Sequence, residues 1–163
     1  MKMLSSTKKL DEWLAVNRKD GYKIIFTNGC FDIIHHGHVV FLHNLRKTFG
    51  DKHLVLIALN TDNSVARIKG LDRPINDLKS RAIVMGSIRY VDAITAFGNK
   101  TPERIIKHIK PDVLAKGGDY SNEKIIGEDF VKSYGGIVFK GLYVDGISSS
   151  RIISTLNLPM AVE

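Results

Sequence analysis

Short apolar runs alternate along the sequence with segments that have the periodicity of amphipathic helices. Tyr22 to Thr27 and His53 to Asn60 are β-rich apolar runs of strand length. His36 to Phe49, between them, has the spacing of a helix with apolar positions at Val39, Val40, Leu42 and Leu45, and Gly50 follows it. A continuous apolar strand such as His53 to Asn60 is typical of a parallel sheet covered on both faces. The alternation therefore predicts strand–helix–strand units with parallel strands.

The same alternation continues to the end of the chain. We predict further helices at about 7–21, 77–90, 101–109, 124–134 and from 148, and further strands at 93–97, 112–116 and 137–144. The polar segment 61–76 is predicted to be a long functional or mobile loop. We therefore expect an α/β fold, a doubly wound parallel sheet of about five strands. A single domain would span 1–163, with 1–21 as an N-terminal helical extension.

Composition excludes several classes of protein. Of the 163 residues, 44% are hydrophobic and 25% are charged, a globular and not a disordered balance. The apolar runs are shorter than the roughly 20 residues of a membrane span, and residues 1–10 lack the apolar core of a signal peptide. We therefore expect a cytoplasmic protein that does not contact membranes. The single Cys30 excludes an internal disulfide and a cysteine-based zinc site.

The net charge of +7 favours an anionic partner. Its basic residues are scattered, with no block of five or more, and no nucleic-acid-binding module is recognised. We therefore expect a phosphate-bearing small molecule and no nucleic acid. A basic nucleic-acid-binding domain remains the alternative of another class, and its binding would weaken steeply with added salt.

Three histidines lie where the first apolar strand is joined to its helix. His35 and His38 flank Gly37 at the predicted helix N-terminus, whose free N–H groups and dipole favour anions. Gly29 is expected to let the chain turn at the strand end, and Gly37 to let a ligand approach the backbone. Two imidazoles there could hydrogen-bond phosphate oxygens as charge develops. Capping or metal-binding histidines are the alternative interpretation.

This segment resembles the signature of the cytidylyltransferase-like nucleotidyltransferases, through the pattern Gly29-Cys30-Phe31-Asp32-x-x-His35-x-Gly37-His38. The resemblance implies a Rossmann-like fold that binds a nucleoside triphosphate, joins the nucleotide to a phosphorylated acceptor and releases pyrophosphate. It implies that His35 and His38 stabilise the transferring α-phosphate. The nucleotide-binding residues that it implies in this segment are Asn28, Gly29, Phe31, Asp32 and Gly37.

A second motif lies near the C-terminus, at 145–151. Ser148, Ser149 and Ser150 at a helix start could cradle the β- and γ-phosphates, and Arg151 could add charge. An ordinary serine cap is the alternative for these hydroxyls. The segment resembles the Ile-Ser-Ser/Thr-Ser/Thr motif of the same family, which adds Ile147 to the nucleotide-binding set.

The basic segment 66–76 follows the second apolar strand. Its cations could bind the phosphates of either substrate, although Arg67 is interpreted as a solvated surface residue. Family members carry a phosphate-contacting lysine in this loop. By that resemblance Lys69 is a candidate catalytic residue, and Lys69 and Arg73 are candidates for binding the acceptor phosphate.

The matches Lys69-Gly70, Arg73-Pro74-Ile75-Asn76 and Lys116-Gly117-Gly118-Asp119-Tyr120, among others, resemble the heptose-1-phosphate adenylyltransferase branch. That branch makes ADP-heptose for lipopolysaccharide and is often fused to a sugar kinase, so this chain would be a stand-alone form. The base pocket is expected around 116–120 and includes Gly118 and Asp119. Tyr120 could stack on the base or pack on the surface.

One string resembles another branch. The segment Ile88 to Asp92 is similar to glycerol-3-phosphate cytidylyltransferase, in which the arginine contacts nucleotide phosphate. Arg89 is therefore a candidate nucleotide-binding residue, with an exposed helix-end cation as the alternative. The reaction class is the same in both branches. ATP and a sugar 1-phosphate would be the substrates in the first branch, and CTP and glycerol 3-phosphate in the second.

The proposed reaction also bears on the need for a general base, on the metal ion and on the oligomeric state. The acceptor phosphate is already an anion at neutral pH and needs no general base. Mg²⁺ is expected to arrive with the nucleoside triphosphate and to keep several waters, and Asp32 could lie near it or stabilise a turn. Relatives suggest a homodimer. A catalytically silent nucleotide sensor on the same fold is the competing interpretation of the site.

Overall fold

The computed structural model describes residues 2–118, 124–141 and 146–156. The strands are β1 (Lys2–Met3), β2 (Lys23–Gly29), β3 (His53–Asn60), β4 (Ala93–Phe97), β5 (Val113–Lys116) and β6 (Ile137–Lys140). The helices are α1 (Thr7–Lys19), α2 (His36–Phe49), α3 (Asp62–Lys69), α4 (Leu78–Gly86), α5 (Glu103–Ile109), α6 (Glu128–Ser133) and α7 (Ser149–Leu156). No helix in these ranges is long and apolar enough to cross a membrane.

The described strands form one parallel sheet in the order β1-β4-β3-β2-β5-β6. From β2 the chain adds β3 and β4 on one side and then returns to add β5 and β6 on the other, so the direction of winding reverses between β2 and β5. The predicted doubly wound parallel sheet of about five strands is therefore confirmed. The two-residue β1, which pairs with β4, was not predicted.

Neighbouring residues of a strand point to opposite faces of the sheet. Because the strands are apolar at both sets of positions, both faces are covered by helices. On one face Trp13 of α1 and Ile106 of α5 pack with Phe26 of β2. On the other face Leu45 of α2 and Met85 of α4 pack with strand residues that alternate with the first set. The apolar residues of both clusters are buried. The polar side chains of the motifs lie at the ends of the strands.

Three local predictions differ from the structure. The first half of the predicted loop 61–76 is the helix α3, in which Ser64 and Val65 are buried while the other positions are exposed or half-buried. In α2, Val39 and Val40 are exposed, and Phe41, Leu42 and Leu45 form the buried face. The strand predicted at 137–144 is seen over 137–140, and 142–145 lie outside the described residues.

Candidate active site

A cleft of about 370 Å³ opens where the winding reverses, at the carboxyl ends of β2 and β5. In doubly wound sheets, ligands bind at this position. The cleft is lined by the β2–α2 loop, the first turn of α2, Lys69 and Arg73, the end of β5 and the start of α7. The chain's main sequence motifs therefore meet around one cavity.

The imidazoles of His35 and His38 are stacked in this cleft. Their ring centroids are 3.9 Å apart, and the rings are inclined by 32°. His35 is the residue that precedes α2, and its backbone N–H donates to Nδ1 of His38 at 3.3 Å. His36, between them, is exposed and points away from the cleft lining. The first turn of α2 thus holds two imidazoles and the free N–H groups of a helix start together.

The pKa values of both histidines are lowered, which favours the neutral imidazole. Burial lowers the pKa of His38 to about 4, with a smaller effect from the neighbouring His35. Burial also lowers the pKa of His35, helped by His36. Because Nδ1 of His38 accepts a hydrogen bond, the proton of its neutral ring is on Nε2. His38 therefore offers an uncharged N–H donor.

Two glycines make room for aromatic rings. A Cβ at Gly29 would lie 2.9 Å from Cε2 of Phe31, and a Cβ at Gly37 would lie 3.1 Å from Nδ1 of His35. The positive backbone φ in this loop, 46°, belongs to Phe31 and not to Gly29. The positive φ that turns the chain is therefore not at Gly29, and both glycines make room for a ring. The approach of a ligand to the backbone at Gly37 stays a prediction.

Asp32 is an anchor for the loop after α3. Its carboxylate accepts hydrogen bonds from Nε of Arg73 at 2.7 Å and from the backbone N–H groups of Ile75 and Asn76, both at 2.9 Å. Burial raises the pKa of Asp32, but the hydrogen bonds from Asn76, Ile75 and Arg73 outweigh it, so the pKa lies below its ordinary value. Of the two predicted roles, the turn-stabilising one matches these contacts.

The predicted phosphate-binding cations occupy one wall of the cleft. Lys69, the last residue of α3, is exposed and forms no ion pair with the described residues. Arg73 is held by Asp32 and also lines the cleft. Arg67 lies outside the cleft lining and donates to the carbonyl of Gly98 at 2.6 Å, in agreement with its interpretation as a surface residue.

The start of α7 lies against the histidine loop and lines the same cleft. Oγ of Ser149 donates to the carbonyl of Ile33 at 2.8 Å, and Oγ of Ser148 accepts from the backbone N–H of Arg151 at 3.1 Å. Ser148 thus caps the helix, as in the alternative interpretation, and Ser149 ties the helix to the histidine loop. The cradle for the β- and γ-phosphates stays a prediction. Ser150 and Ile147 also line the cleft, whereas Arg151 is exposed beside it.

The remaining predicted residues divide into three groups. Asn28, Phe31 and Gly118 line the cleft. Asp119 and Tyr120 lie outside the described residues. Arg89 precedes β4 and is exposed beside the ring of Tyr90, at the edge of the sheet where the strands begin. Arg89 is not among the residues that line the cleft, which favours the exposed helix-end cation over the nucleotide ligand in its own chain.

Sequence reasoning missed Arg81, which is 1% exposed. Its guanidinium donates to the carbonyls of Cys30 and Asn60 and to the carboxylate of Asp62, at 2.6, 2.8 and 2.7 Å. It thereby fixes the ends of β2 and β3 and the start of α3 relative to one another. The signal was its position on the buried stripe of α4, one turn before Met85.

Sequence reasoning also gave no specific role to Lys116, the last residue of β5. Its Nζ donates to the backbone carbonyl and to Oδ1 of Asn28, at 2.8 and 3.1 Å. Burial lowers the pKa of Lys116 to about 8. A cation that ends a buried strand at the point of reversal was the available signal.

Comparison with known proteins agrees with the geometry of the cleft. A family model described as cytidylyltransferase-like matches residues 26–155, which include the histidine loop and the α7 start. The chain belongs to the cytidylyltransferase-like family. The resemblance inferred from the histidine motif is thereby confirmed.

Two curated relatives are similar over most of this chain. The bifunctional protein HldE of Alcanivorax borkumensis is 48% identical over 139 residues, which are 85% of this chain and 29% of that protein. The bifunctional protein HldE of a Marinomonas species is 45% identical over 153 residues, 94% of this chain and 32% of that protein. The chain thus spans about a third of the length of these relatives.

Two solved structures share the fold. The lipopolysaccharide core biosynthesis protein of Thermoplasma volcanium has a TM-score of 0.61 at 24% identity, covering 76% of this chain and 98% of that one. The pantoate-beta-alanine ligase of Francisella tularensis has a TM-score of 0.64 at 14% identity, covering 94% and 73%. At these identities the similarity concerns the fold alone.

Proposed function

We propose that this protein is a nucleotidyltransferase that transfers AMP from ATP to a heptose 1-phosphate and releases pyrophosphate. The observation that carries the proposal is the pair of stacked imidazoles of His35 and His38, which share one cleft with the start of α7. Neutral N–H donors beside a helix N-terminus suit a phosphate that gains negative charge in the transition state.

The reaction needs positioning and charge stabilisation but no general base. A phosphate monoester is an anion at neutral pH, so an oxygen of the acceptor phosphate attacks the α-phosphorus in line with the departing pyrophosphate. The Nε2–H of His38 donates to an α-phosphate oxygen, and His35 lies against the same group. Bringing the two reactants together supplies much of the rate acceleration in such transfers.

The other residues at the cleft are assigned to the β- and γ-phosphates and to the acceptor phosphate. The start of α7, with Ile147, Ser148, Ser149 and Ser150, is assigned to the β- and γ-phosphates, and Arg151 lies beside it. Lys69 and Arg73, which also line the cleft, are assigned to the acceptor phosphate. The assignment of these two cations is supported by the cleft itself, because Lys69 and Arg73 line the same cavity as His35 and His38.

Magnesium belongs to the substrate in this proposal. Both carboxylate oxygens of Asp32 accept hydrogen bonds from the loop after α3 and are therefore not free to bind a metal ion. The described residues contain no group of three or more acidic, histidine or cysteine side chains able to hold a metal ion. Mg²⁺ would arrive on the triphosphate, neutralise part of its charge and keep most of its waters.

The choice of substrates is supported by sequence similarity. The motifs at 69–76 and 116–120 resemble the heptose-1-phosphate adenylyltransferase branch, and the curated relatives are bifunctional HldE proteins. The alternative, cytidylyl transfer to glycerol 3-phosphate, came from the string Ile88 to Asp92, whose Arg89 is not among the residues that line the cleft. A single domain, a homodimer and a cytoplasmic location remain predictions.

Pyrophosphate release with Mg²⁺ tests the proposal. ATP and CTP are each combined with heptose 1-phosphate and with glycerol 3-phosphate. We expect release with ATP and heptose 1-phosphate. Release only with CTP and glycerol 3-phosphate would assign the chain to the other branch. No release in any of the four reactions would refute both substrate assignments.

A further inference from the structure

Lys116 has a positive charge that the described part of the chain does not neutralise. Its two hydrogen-bond acceptors are the backbone carbonyl and the amide oxygen of Asn28, both uncharged. None of the ion pairs among the described residues includes Lys116. An ammonium has three N–H donors, so one donor remains for another partner.

The surroundings of this ammonium favour an anion. Lys69 and Arg73 line the same cleft, and its one described carboxylate, Asp32, is already paired with Arg73. Burial raises the pKa of the neighbouring Cys30 thiol, so that thiol is neutral and supplies no counter-charge. The cleft thus combines uncompensated positive charge with partial shielding from water, where a bound anion interacts more strongly than it would at an open surface.

A purely structural role does not explain the charge. The connection to Asn28 joins the ends of β2 and β5, but an uncharged N–H donor of similar length could make the same hydrogen bond. Half-burying an ammonium without a counter-ion is unfavourable. A charge kept at such a position is consistent with a ligand that provides the missing anion.

We propose that the ammonium of Lys116 binds a phosphate oxygen of a substrate in this cleft, while its contacts with Asn28 aim it there. The ligand chemistry is that of a phosphate, and its source is either the triphosphate of the nucleotide or the phosphate of the acceptor. The proposal rests on the proposed function only for the identity of those two phosphates.

The test compares Lys116→Gln with the unmodified chain by titration calorimetry. Gln retains an N–H donor for Asn28 and removes the charge. Sodium tripolyphosphate probes the nucleotide phosphates, and heptose 1-phosphate probes the acceptor phosphate. We expect an affinity loss of about 10- to 100-fold for at least one probe, as for loss of a hydrogen bond to a charged group. The probe that is affected identifies the source of the phosphate.

Two further variants separate charge from structure. Lys47→Gln removes an exposed lysine of α2 and is expected to change neither affinity. Lys116→Arg keeps the charge and is expected to recover part of the affinity that Lys116→Gln loses. If Lys116→Gln lowers the melting temperature but changes both affinities by less than about threefold, or if the unmodified chain binds neither probe, the proposal is wrong.

A measurement on the unmodified chain covers the case in which Lys116→Gln does not fold. Lysines are acetylated at pH 8 and quantified by peptide mass spectrometry, with and without each probe. We expect either probe that binds there to protect Lys116 at least threefold and to leave Lys47 unprotected; equal labelling of Lys116 with and without both probes contradicts the proposal. Failure of the chain to release pyrophosphate would refute the proposed function and leave these binding results interpretable.

Discussion

The backbone N–H of His35 donates to Nδ1 of His38 at 3.3 Å, across the first turn of α2. This contact fixes the orientation of the His38 ring and leaves its proton on Nε2. It also couples the two histidines, because the backbone of one positions the side chain of the other. His35 precedes α2 and His38 is its third residue. At a helix start these two positions lie next to each other, so a separation of three residues in the sequence brings the histidines together.

Replacement of His38 by Ala should abolish most of the activity without unfolding the chain. It removes the N–H donor assigned to the α-phosphate, and loss of one such donor costs about 2.7–4 kcal/mol of transition-state stabilisation, or roughly 10²- to 10³-fold in kcat. Steady-state pyrophosphate release measures the effect. His36→Ala is the matched control, since His36 is exposed outside the cleft lining, and it should retain full activity. Full turnover by a folded His38→Ala protein would remove His38 from the mechanism.

The low pKa of His38 predicts how stability depends on pH. The folded chain holds this imidazole neutral down to about pH 4, whereas the unfolded chain binds a proton near the ordinary value of about 6.5. The unfolded state therefore carries more protons between these values, so the free energy of unfolding falls as the pH drops from about 6.5 towards 4. Urea denaturation across that window should show a shallower decline for His38→Gln than for the unmodified chain. Equal slopes would mean that His38 titrates normally in the folded protein.

Gly37→Ala should reduce activity while leaving stability almost unchanged. The added Cβ would lie 3.1 Å from Nδ1 of His35, so the imidazole must shift. Gly37 is in the first turn of α2, where Ala is the better helix former by up to about 1 kcal/mol. We expect a melting temperature within a few degrees of the unmodified chain and kcat lower by about 10²-fold, the scale of a small misplacement of a catalytic group. An unaffected kcat would show that the position of His35 is unimportant.

The sequence predicted the central strands well because their burial is uniform. Leu54 to Leu59 is apolar throughout, and the strand His53 to Asn60 has its predicted ends, as does Ala93 to Phe97. The helix α3 was missed because only two of its residues, Ser64 and Val65, are buried, so its periodicity is weak. The strand β1 was missed because two residues carry no pattern, and its place depends on pairing with β4, which is distant in sequence.

Asp32→Asn should destabilise the loop after α3 and alter acceptor binding through Arg73. The carboxylate is 1% exposed and is paired with Arg73. Its removal would leave a partly buried guanidinium unpaired, which we expect to cost about 3 kcal/mol in the free energy of unfolding. Urea denaturation of Asp32→Asn, Arg73→Met and the double variant gives the coupling energy. Strict additivity of the two single effects would contradict a direct pair.

The sequence indicated which residues line the cleft more completely than it indicated the contacts between them. The motif residues His35, His38 and Ser148 were identifiable because helix starts with histidine and serine suit phosphates. The second role of each polar group was not, because it depends on contacts distant in sequence: Asp32 holds a loop 41 residues away, and Ser149 bonds Ile33 across 116 residues. Such contacts exist only once the sheet has formed.

The central claim, that the group transferred is a nucleotidyl and not a phosphoryl group, is tested most directly with labelled ATP. The chain is incubated with Mg²⁺, heptose 1-phosphate and ATP labelled with ³²P at either the α- or the γ-phosphate, and the products are separated. We predict that the α-label enters the sugar product and that the γ-label leaves as pyrophosphate. Transfer of the γ-label to the sugar, or retention of the α-label in ADP or AMP with no labelled sugar, would contradict the account.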